Sequence, residues 1–146
     1  MYDPSNRGDV VLIVDSNENV QEFCRSSFAL FFGYPVEKVL TAGSADQALD
    51  HLRESKTREN RIGLLISDTN MPGTNGYELV NELYYRNFYI DVILMSDNAQ
   101  RVSPPAEYMG DEEIIPGVSL VKGYITKPFH SETLMKTLQS IGFGTR

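Results

Sequence analysis

Four polar residues of this 146-residue chain stand where runs of apolar residues end, and their types could support chemistry together. Two are acids, one carries a hydroxyl and one an ammonium: Asp15, Asp68, Ser96 and Lys127. Carboxylate oxygens bind hard divalent cations, and a lysine ammonium is a point charge that pairs with phosphate oxygens. A site built from these groups would hold a transferable anion beside a cation.

The apolar runs predict the elements that must position these four residues. Five runs indicate strands, at 10–14, 38–42, 62–67, 92–95 and, more weakly, 124–126. Helical patterns lie between them, and this alternation predicts an α/β fold with a doubly wound, flavodoxin-like parallel sheet of five strands. Ligands bind beyond the carboxyl ends of such strands, so we expect the four polar residues to converge on one edge.

Residue types at the helix ends predict caps. Gly33 is placed to end the first helix, Ser44 with Gln47 predicts a capping box, and Ser131 is predicted to cap the last helix. The segment between strand 4 and strand 5 is predicted to be irregular and extended. Its Pro104-Pro105 pair cannot lie inside a helix.

Composition limits the classes of protein that this chain can belong to. Hydrophobic residues make up 41% and charged residues 23%, and the length suits one domain, predicted over 1–146 with its core at about 9–143. With 13 basic and 20 acidic residues the net charge is −7, which disfavours nucleic acid and membrane surfaces as partners. The single Cys24 indicates a reducing compartment, so we expect a cytoplasmic location.

Two short motifs make the prediction more specific. The sequence Asp-Thr-Asn-Met-Pro-Gly-Thr-Asn-Gly occupies 68–76, and Tyr-Ile-Thr-Lys-Pro-Phe occupies 124–129. Together with Asp15 and Ser96, they make the chain resemble the CheY-like receiver domains of response regulators in two-component signalling, from about residue 10 to residue 141. No separate output domain fits into this length, so the chain is expected to act alone or to be a piece of a longer protein.

The resemblance implies a role for each matching residue. Asp68 would accept a phosphoryl group from a phosphohistidine on a sensor histidine kinase or phosphotransfer protein. Lys127 would pair with that group, and the Ser96 hydroxyl would follow its oxygen. Tyr124 would then change rotamer and alter the output face, whose target the sequence does not identify. The resemblance also implies a cis bond from Lys127 to Pro128, and no enzymatic activity beyond phosphorylation and dephosphorylation of Asp68.

The resemblance further implies a Mg²⁺ site formed by Asp15, Asp68 and the backbone carbonyl of Asn70. Two positions depart from the family pattern. Ser16 stands where receivers usually carry a second acid that binds the metal directly, so we expect weaker Mg²⁺ binding. Asp97 stands where a small residue usually leaves room for the phosphodonor, and its carboxylate could obstruct the donor, repel phosphate or help to hold a cation.

These departures keep other functions open. One is a degenerate receiver that binds proteins independently of phosphorylation, favoured by Ser16, Asp97 and the proline-containing segment. Another is an α/β hydrolase with Ser96 or Asp68 as nucleophile, which ranks last because the chain has no G-x-S-x-G motif and no histidine placed as a base.

Several residues have simpler interpretations. Cys24 lies on the apolar face of the first helix and is predicted to be a core thiol. His51 is predicted to be exposed. Phe28, Phe31 and Phe32 cannot all point inward, so one or more could form a partner patch.

Overall fold

Five parallel strands form a single sheet in the order β2-β1-β3-β4-β5. The computed structural model of the chain describes residues 8–55, 57, 60–97 and 116–143. The strands are β1 (Val10–Val14), β2 (Val39–Ala42), β3 (Ile62–Asp68), β4 (Asp91–Ser96) and β5 (Val121–Thr126). The predicted doubly wound α/β fold is therefore confirmed, with β5 three residues longer at its start than its weak apolar pattern indicated.

Four helices of the described ranges cover the two faces of this sheet: α1 (Glu18–Phe32), α2 (Ala45–Glu54), α3 (Gly76–Tyr85) and α4 (Ser131–Ser140). Helices α1 and α4 pack on one face, and α2 and α3 pack on the other. Short 3₁₀ helices at Val36–Lys38 and Pro116–Leu120 precede β2 and β5, so β2 begins one residue later than predicted. Among the described residues, no helix is long and apolar enough to cross a membrane.

The central strands explain why the sequence shows continuous apolar runs. Every residue of β1, β3 and β4 is buried, because helices cover both sides of the sheet. Leu12 and Ile13 are fully buried on opposite faces. Each such side chain contributes about 1.5–3 kcal/mol by leaving water. The strand ends, with their polar residues, are therefore fixed to a rigid core.

The helix caps agree with the sequence in part. Gly33 ends α1 in the left-handed conformation, with φ of 62°, as predicted. The Ser44 hydroxyl accepts the Gln47 amide at 3.2 Å and caps α2. The predicted capping box is incomplete, however, because Gln47 Oε1 accepts from the Gly43 amide, one residue before the cap. A complete capping box is found instead at α3, where the side chains of Asn75 and Glu78 each accept the backbone amide of the other.

Two other predictions need correction. Ser131 is the first residue of α4 and does not cap it: the cap position is His130, whose side chain makes no capping bond. The Ser131 hydroxyl instead lies 2.8 Å from that of Ser27 on α1 and joins the two helices. His51 was predicted to be exposed but is half-buried, and its Nε2 lies within hydrogen-bonding distance, 3.0 Å, of the Thr41 carbonyl oxygen.

Two predictions for the first helix are confirmed, the core position of Cys24 and the different directions of the three phenylalanines, while the partner patch stays a prediction. Cys24 and Phe28 are fully buried. Phe32 is half-buried and Phe31 is 37% exposed, so the three phenylalanines do not all point into the core.

The prediction for Pro104-Pro105 lies outside the described residues. The chain that follows, Pro116–Leu120, is docked against α3. The Gly117 amide donates to Asn81 Oδ1 at 3.0 Å, and a β-carbon at Gly117 would collide with the α3 backbone at Val80. This close approach explains the glycine and fixes where β5 enters the sheet.

Candidate functional site

The carboxyl edge of the sheet brings the four predicted residues together from four different strands. Asp15 directly follows β1 and Lys127 directly follows β5, as predicted, whereas Asp68 and Ser96 are the last residues of β3 and β4. Backbone hydrogen bonds between neighbouring strands continue past the strand ends and fix the positions of the residues at this edge. The Lys127 amide donates to the Ser96 carbonyl at 2.7 Å, and the Asp15 amide donates to Ala42 at 3.0 Å.

Lys127 is the centre of the arrangement. Its Nζ lies 2.5 Å from Asp15 Oδ2 and 3.4 Å from Asp68 Oδ2. The Lys127 side chain is 15% exposed, so its ammonium is partly desolvated but not sealed from water. The expected convergence of these residues is therefore confirmed. The Coulomb attraction between Lys127 and Asp15 is stronger than it would be between fully exposed partners, because the local dielectric constant is lower.

Burial and charge alter the protonation equilibria of the site. Burial raises the pKa of Asp68, and the negative charge of Asp15 adds to this. The charge of Lys127 and the amide of Asn70 oppose the rise without cancelling it. Burial acts to lower the pKa of Lys127, but its hydrogen bond to Asp15 and the charge of Asp68 outweigh burial and leave that pKa above its ordinary value.

Hydrogen bonds orient both carboxylates. Asp15 Oδ1 accepts the amide of Asn17 at 2.9 Å, where Asn17 is the N-cap of α1. Asp68 Oδ1 accepts the amide of Asn70 at 3.3 Å, which turns the chain back after β3. Gly76 then passes so close to the Asp68 carbonyl that a β-carbon there would overlap it. The motif therefore has a local structural reason for its last glycine.

The residues present fit a hard divalent cation, although the set is smaller than the family pattern. Asp15 and Asp68 offer carboxylate oxygens and Asn70 a carbonyl oxygen, and Mg²⁺ is commonly held by one or two carboxylates together with waters. Ser16 and Glu18 are exposed. Within the described part of the chain, no group of three or more His, Cys, Asp or Glu residues is placed to hold a metal, so a cation at the Asp15–Asp68 pair would need carbonyl and water ligands as well.

Tyr124 and Ser96 lie on the same side of the sheet. Tyr124 pairs with Leu94 and Ser96 pairs with Thr126, so the two residues are on adjacent strands. Leu94 and Tyr124 both pack in the core beneath α3, and side chains alternate along a strand, so Ser96 is directed to that face too. Tyr124 is half-buried, and burial together with nearby Tyr77 raises its pKa.

Sequence reasoning missed a cavity beside Lys127. It has a volume of about 250 Å³ and an apolar wall formed by Val20, Phe23, Pro128 and Phe129. The rings of Phe23 and Phe129 meet edge to face at 5.5 Å, and the bond from Lys127 to Pro128 is cis, as the resemblance implied. The Pro128-Phe129 pair in the motif was the one sequence feature that pointed to this cavity. The cavity also needs Phe23 of α1, which is more than 100 residues away in the chain, so the sequence alone could not predict it.

The fold and the site define a class of protein: a receiver, with an acid-lysine site at the carboxyl edge of a five-stranded parallel sheet. The sequence pattern of the family described as the response regulator receiver domain matches residues 11–139. The chain therefore belongs to this family, the receiver domains of two-component response regulators.

Known relatives support this membership. The response regulator SaeR of Staphylococcus aureus (strain USA300) is 25% identical over 132 residues, which cover 90% of this chain and 49% of SaeR. The chain thus spans about half the length of the curated relatives it matches.

Solved structures agree with the fold. A CheY-like receiver domain protein from Methanospirillum hungatei JF-1 is 25% identical, with a TM-score of 0.70, over 92% of this chain and 95% of that one. The chemotaxis response regulator CheY4 of Vibrio cholerae is 26% identical, with a TM-score of 0.67, over 92% of this chain and 98% of that one.

Proposed function

We propose that this receiver accepts a phosphoryl group on Asp68 from a phosphohistidine donor, with Mg²⁺ bound at Asp15, Asp68 and the Asn70 carbonyl. The observation that carries the proposal is the position of Lys127, whose ammonium lies within 3.4 Å of both carboxylates. A fixed cation beside the acceptor carboxylate, whose side chain is 7% exposed, lowers the electrostatic cost of bringing a phosphoryl anion to it.

In the proposed reaction, an Asp68 carboxylate oxygen forms a bond to phosphorus while the P–N bond of the donor breaks. The electron pair of that bond stays on the leaving imidazole nitrogen. When bound, Mg²⁺ would neutralise phosphoryl oxygens and reduce the repulsion between the two anions. The Lys127 ammonium would bind a phosphoryl oxygen and balance part of the charge that the acyl phosphate adds.

The same proposal includes a switch through Ser96 and Tyr124. The Ser96 hydroxyl would move toward the new phosphoryl oxygens, and the Tyr124 ring would turn into the space that is vacated. Their placement on one side of adjacent strands supports this coupling. The half-buried ring of Tyr124 has one side against the core and another near the surface, so its rotation would change the output face.

The proposed partners are a sensor histidine kinase or a phosphotransfer protein, and a downstream protein. Apart from phosphorylation and dephosphorylation of its own Asp68, we propose no enzymatic activity. Incubation with acetyl phosphate and Mg²⁺, followed by intact mass measurement, tests the proposal. The native chain should gain one phosphoryl group and Asp68→Asn should gain none. A native chain that stays unlabelled under conditions that label an ordinary receiver would reject it.

A second candidate is a receiver that signals by protein binding without phosphate. It is favoured by Ser16, which supplies an exposed neutral hydroxyl in place of the second acid. It is also favoured by the ion pair between Lys127 and Asp15, which already engages the cation that a phosphoryl group would need. For this candidate, Asp68→Asn would leave the cellular output intact. Loss of the output in that variant, with Asp46→Asn as an exposed control, would exclude it.

A further inference from the structure

A third carboxylate stands on the solvent side of the site, and the proposed reaction gives it no role. Asp97 directly follows Ser96, the last residue of β4. Asp97 is exposed, whereas Asp15 and Asp68 are only 1% and 5% exposed. Since the Ser96 carbonyl accepts the Lys127 amide at 2.7 Å, Asp97 emerges beside the turn that carries Lys127.

The charge of Asp97 acts on the site itself. Burial would lower the pKa of Lys127, and the Asp15 hydrogen bond and the nearby negative charges, that of Asp97 included, raise it instead. Three carboxylates therefore act on the ammonium of Lys127, so the residues described at this edge carry an excess of negative charge. Of these three carboxylates, Asp97 is the solvent-exposed one.

We propose that Asp97 is a specificity-determining residue that favours phosphodonors with a positively charged leaving group, the P–N compounds, over acyl phosphates. This inference rests on the proposed phosphorylation of Asp68. Phosphoramidate near neutral pH carries a protonated nitrogen on its phosphoryl group and one net negative charge. Acetyl phosphate is a dianion with no positive charge. A carboxylate on the approach path repels the dianion more strongly than the zwitterion.

The transfer steps balance with either donor. With phosphoramidate, the Asp68 oxygen bonds to phosphorus, the P–N bond breaks, and its electron pair stays on nitrogen, which leaves as ammonia. With acetyl phosphate, the bond between phosphorus and the bridging oxygen breaks, and acetate leaves with the electron pair. Both reactions give the same acyl phosphate on Asp68, so the two donors differ in charge and leaving group only.

The test compares initial rates of labelling with the two donors and Mg²⁺, followed by intact mass, for the native chain, Asp97→Asn and Asp97→Ala. The asparagine variant removes the charge and keeps the size. We expect it to accelerate labelling by the acetyl phosphate dianion about threefold, the effect of one unit charge several ångströms away in water. Labelling by phosphoramidate, which carries half that net charge, should rise by less than about twofold. The alanine variant should behave like the asparagine variant. Raising the salt concentration should shrink the difference from the native chain.

The matched control is Glu37→Gln, which neutralises an exposed acid at the opposite, amino end of the sheet. It should leave the ratio of the two rates unchanged. An unchanged ratio in Asp97→Asn, with both donors labelling Asp68, would overturn the role of Asp97 and leave the proposed function standing. Acceleration of both donors in Asp97→Ala alone would make Asp97 a steric obstacle and also overturn it. No labelling of the native chain by either donor would reject the proposed function and this inference together.

Discussion

Lys127 lies closer to Asp15 than to Asp68: its Nζ is 2.5 Å from Asp15 Oδ2 and 3.4 Å from Asp68 Oδ2. The proposed phosphoacceptor is therefore the more distant of the two anions that share this cation. Asp15 is almost fully buried, so the pair neutralises a charge that would otherwise be costly. Lys127 thus has a structural role at Asp15, in addition to the chemical role that we propose at Asp68.

Removing the lysine charge should destabilise the fold. In Lys127→Met, the carboxylate of Asp15 stays buried without its partner. We expect the free energy of unfolding to fall by about 3 kcal/mol, the lower end for a broken buried ion pair, because the Lys127 side chain is 15% exposed. Urea unfolding followed by circular dichroism measures this change. Lys122→Met, which replaces an exposed lysine of β5, is the control and should change stability by less than about 0.5 kcal/mol. Equal stability of the two variants would contradict a structural role for the pair.

Restoring an acid after Asp15 should strengthen cation binding. Ser16→Asp adds a carboxylate next to the proposed ligands, and we expect Mg²⁺ to bind about tenfold more tightly, because affinity rises with the charge of the ligand set. Isothermal titration calorimetry measures the affinity. Ser26→Asp, on the exposed side of α1, adds the same charge away from the site and should have little effect. An affinity that Ser16→Asp leaves unchanged would argue against a metal at this edge.

The switch should depend on the Ser96 hydroxyl. In Ser96→Ala, Asp68 should still be labelled, while the change at Tyr124 on labelling is lost. The ring resonances of Tyr124 in NMR spectra report on its rotamer, and Ser26→Ala is the control. If Tyr124 shifts equally in Ser96→Ala and in the native chain, the two residues are not coupled in the proposed way.

Cys24 should resist thiol reagents in the folded protein. Burial, with the charge of Asp15 adding to it, raises the pKa of the thiol to about 12. Because a raised pKa keeps the thiol protonated, thiolate should be negligible up to about pH 9, and the side chain is also inaccessible. We expect no reaction with a disulfide reagent at pH 8, and full reaction after unfolding in guanidinium. Rapid reaction of the native protein would show that α1 opens readily.

Much of the fold could be predicted from local patterns. The run before Asp15 is continuous and mostly β-branched, and the run before Asp68 is mostly apolar, because both faces of their strands are buried. The ends of these runs placed the site on one edge of the sheet. The pairing of Lys127 with Asp15 could not be predicted, since the partners are 112 residues apart and only the packed sheet sets their distance. Serine is a residue type that often caps helices, yet the Ser131 hydroxyl forms a hydrogen bond with Ser27 on another helix.

The central claim is tested most directly by locating the phosphoryl group on the chain. After incubation with phosphoramidate and Mg²⁺, borohydride reduces an aspartyl phosphate to homoserine, which peptide mass spectrometry can assign to one position. We predict homoserine at position 68 in the native chain and none in Asp68→Asn. A native chain with no reduced residue, or with the modification at Asp15 or Asp97 instead, would contradict the proposed role of Asp68.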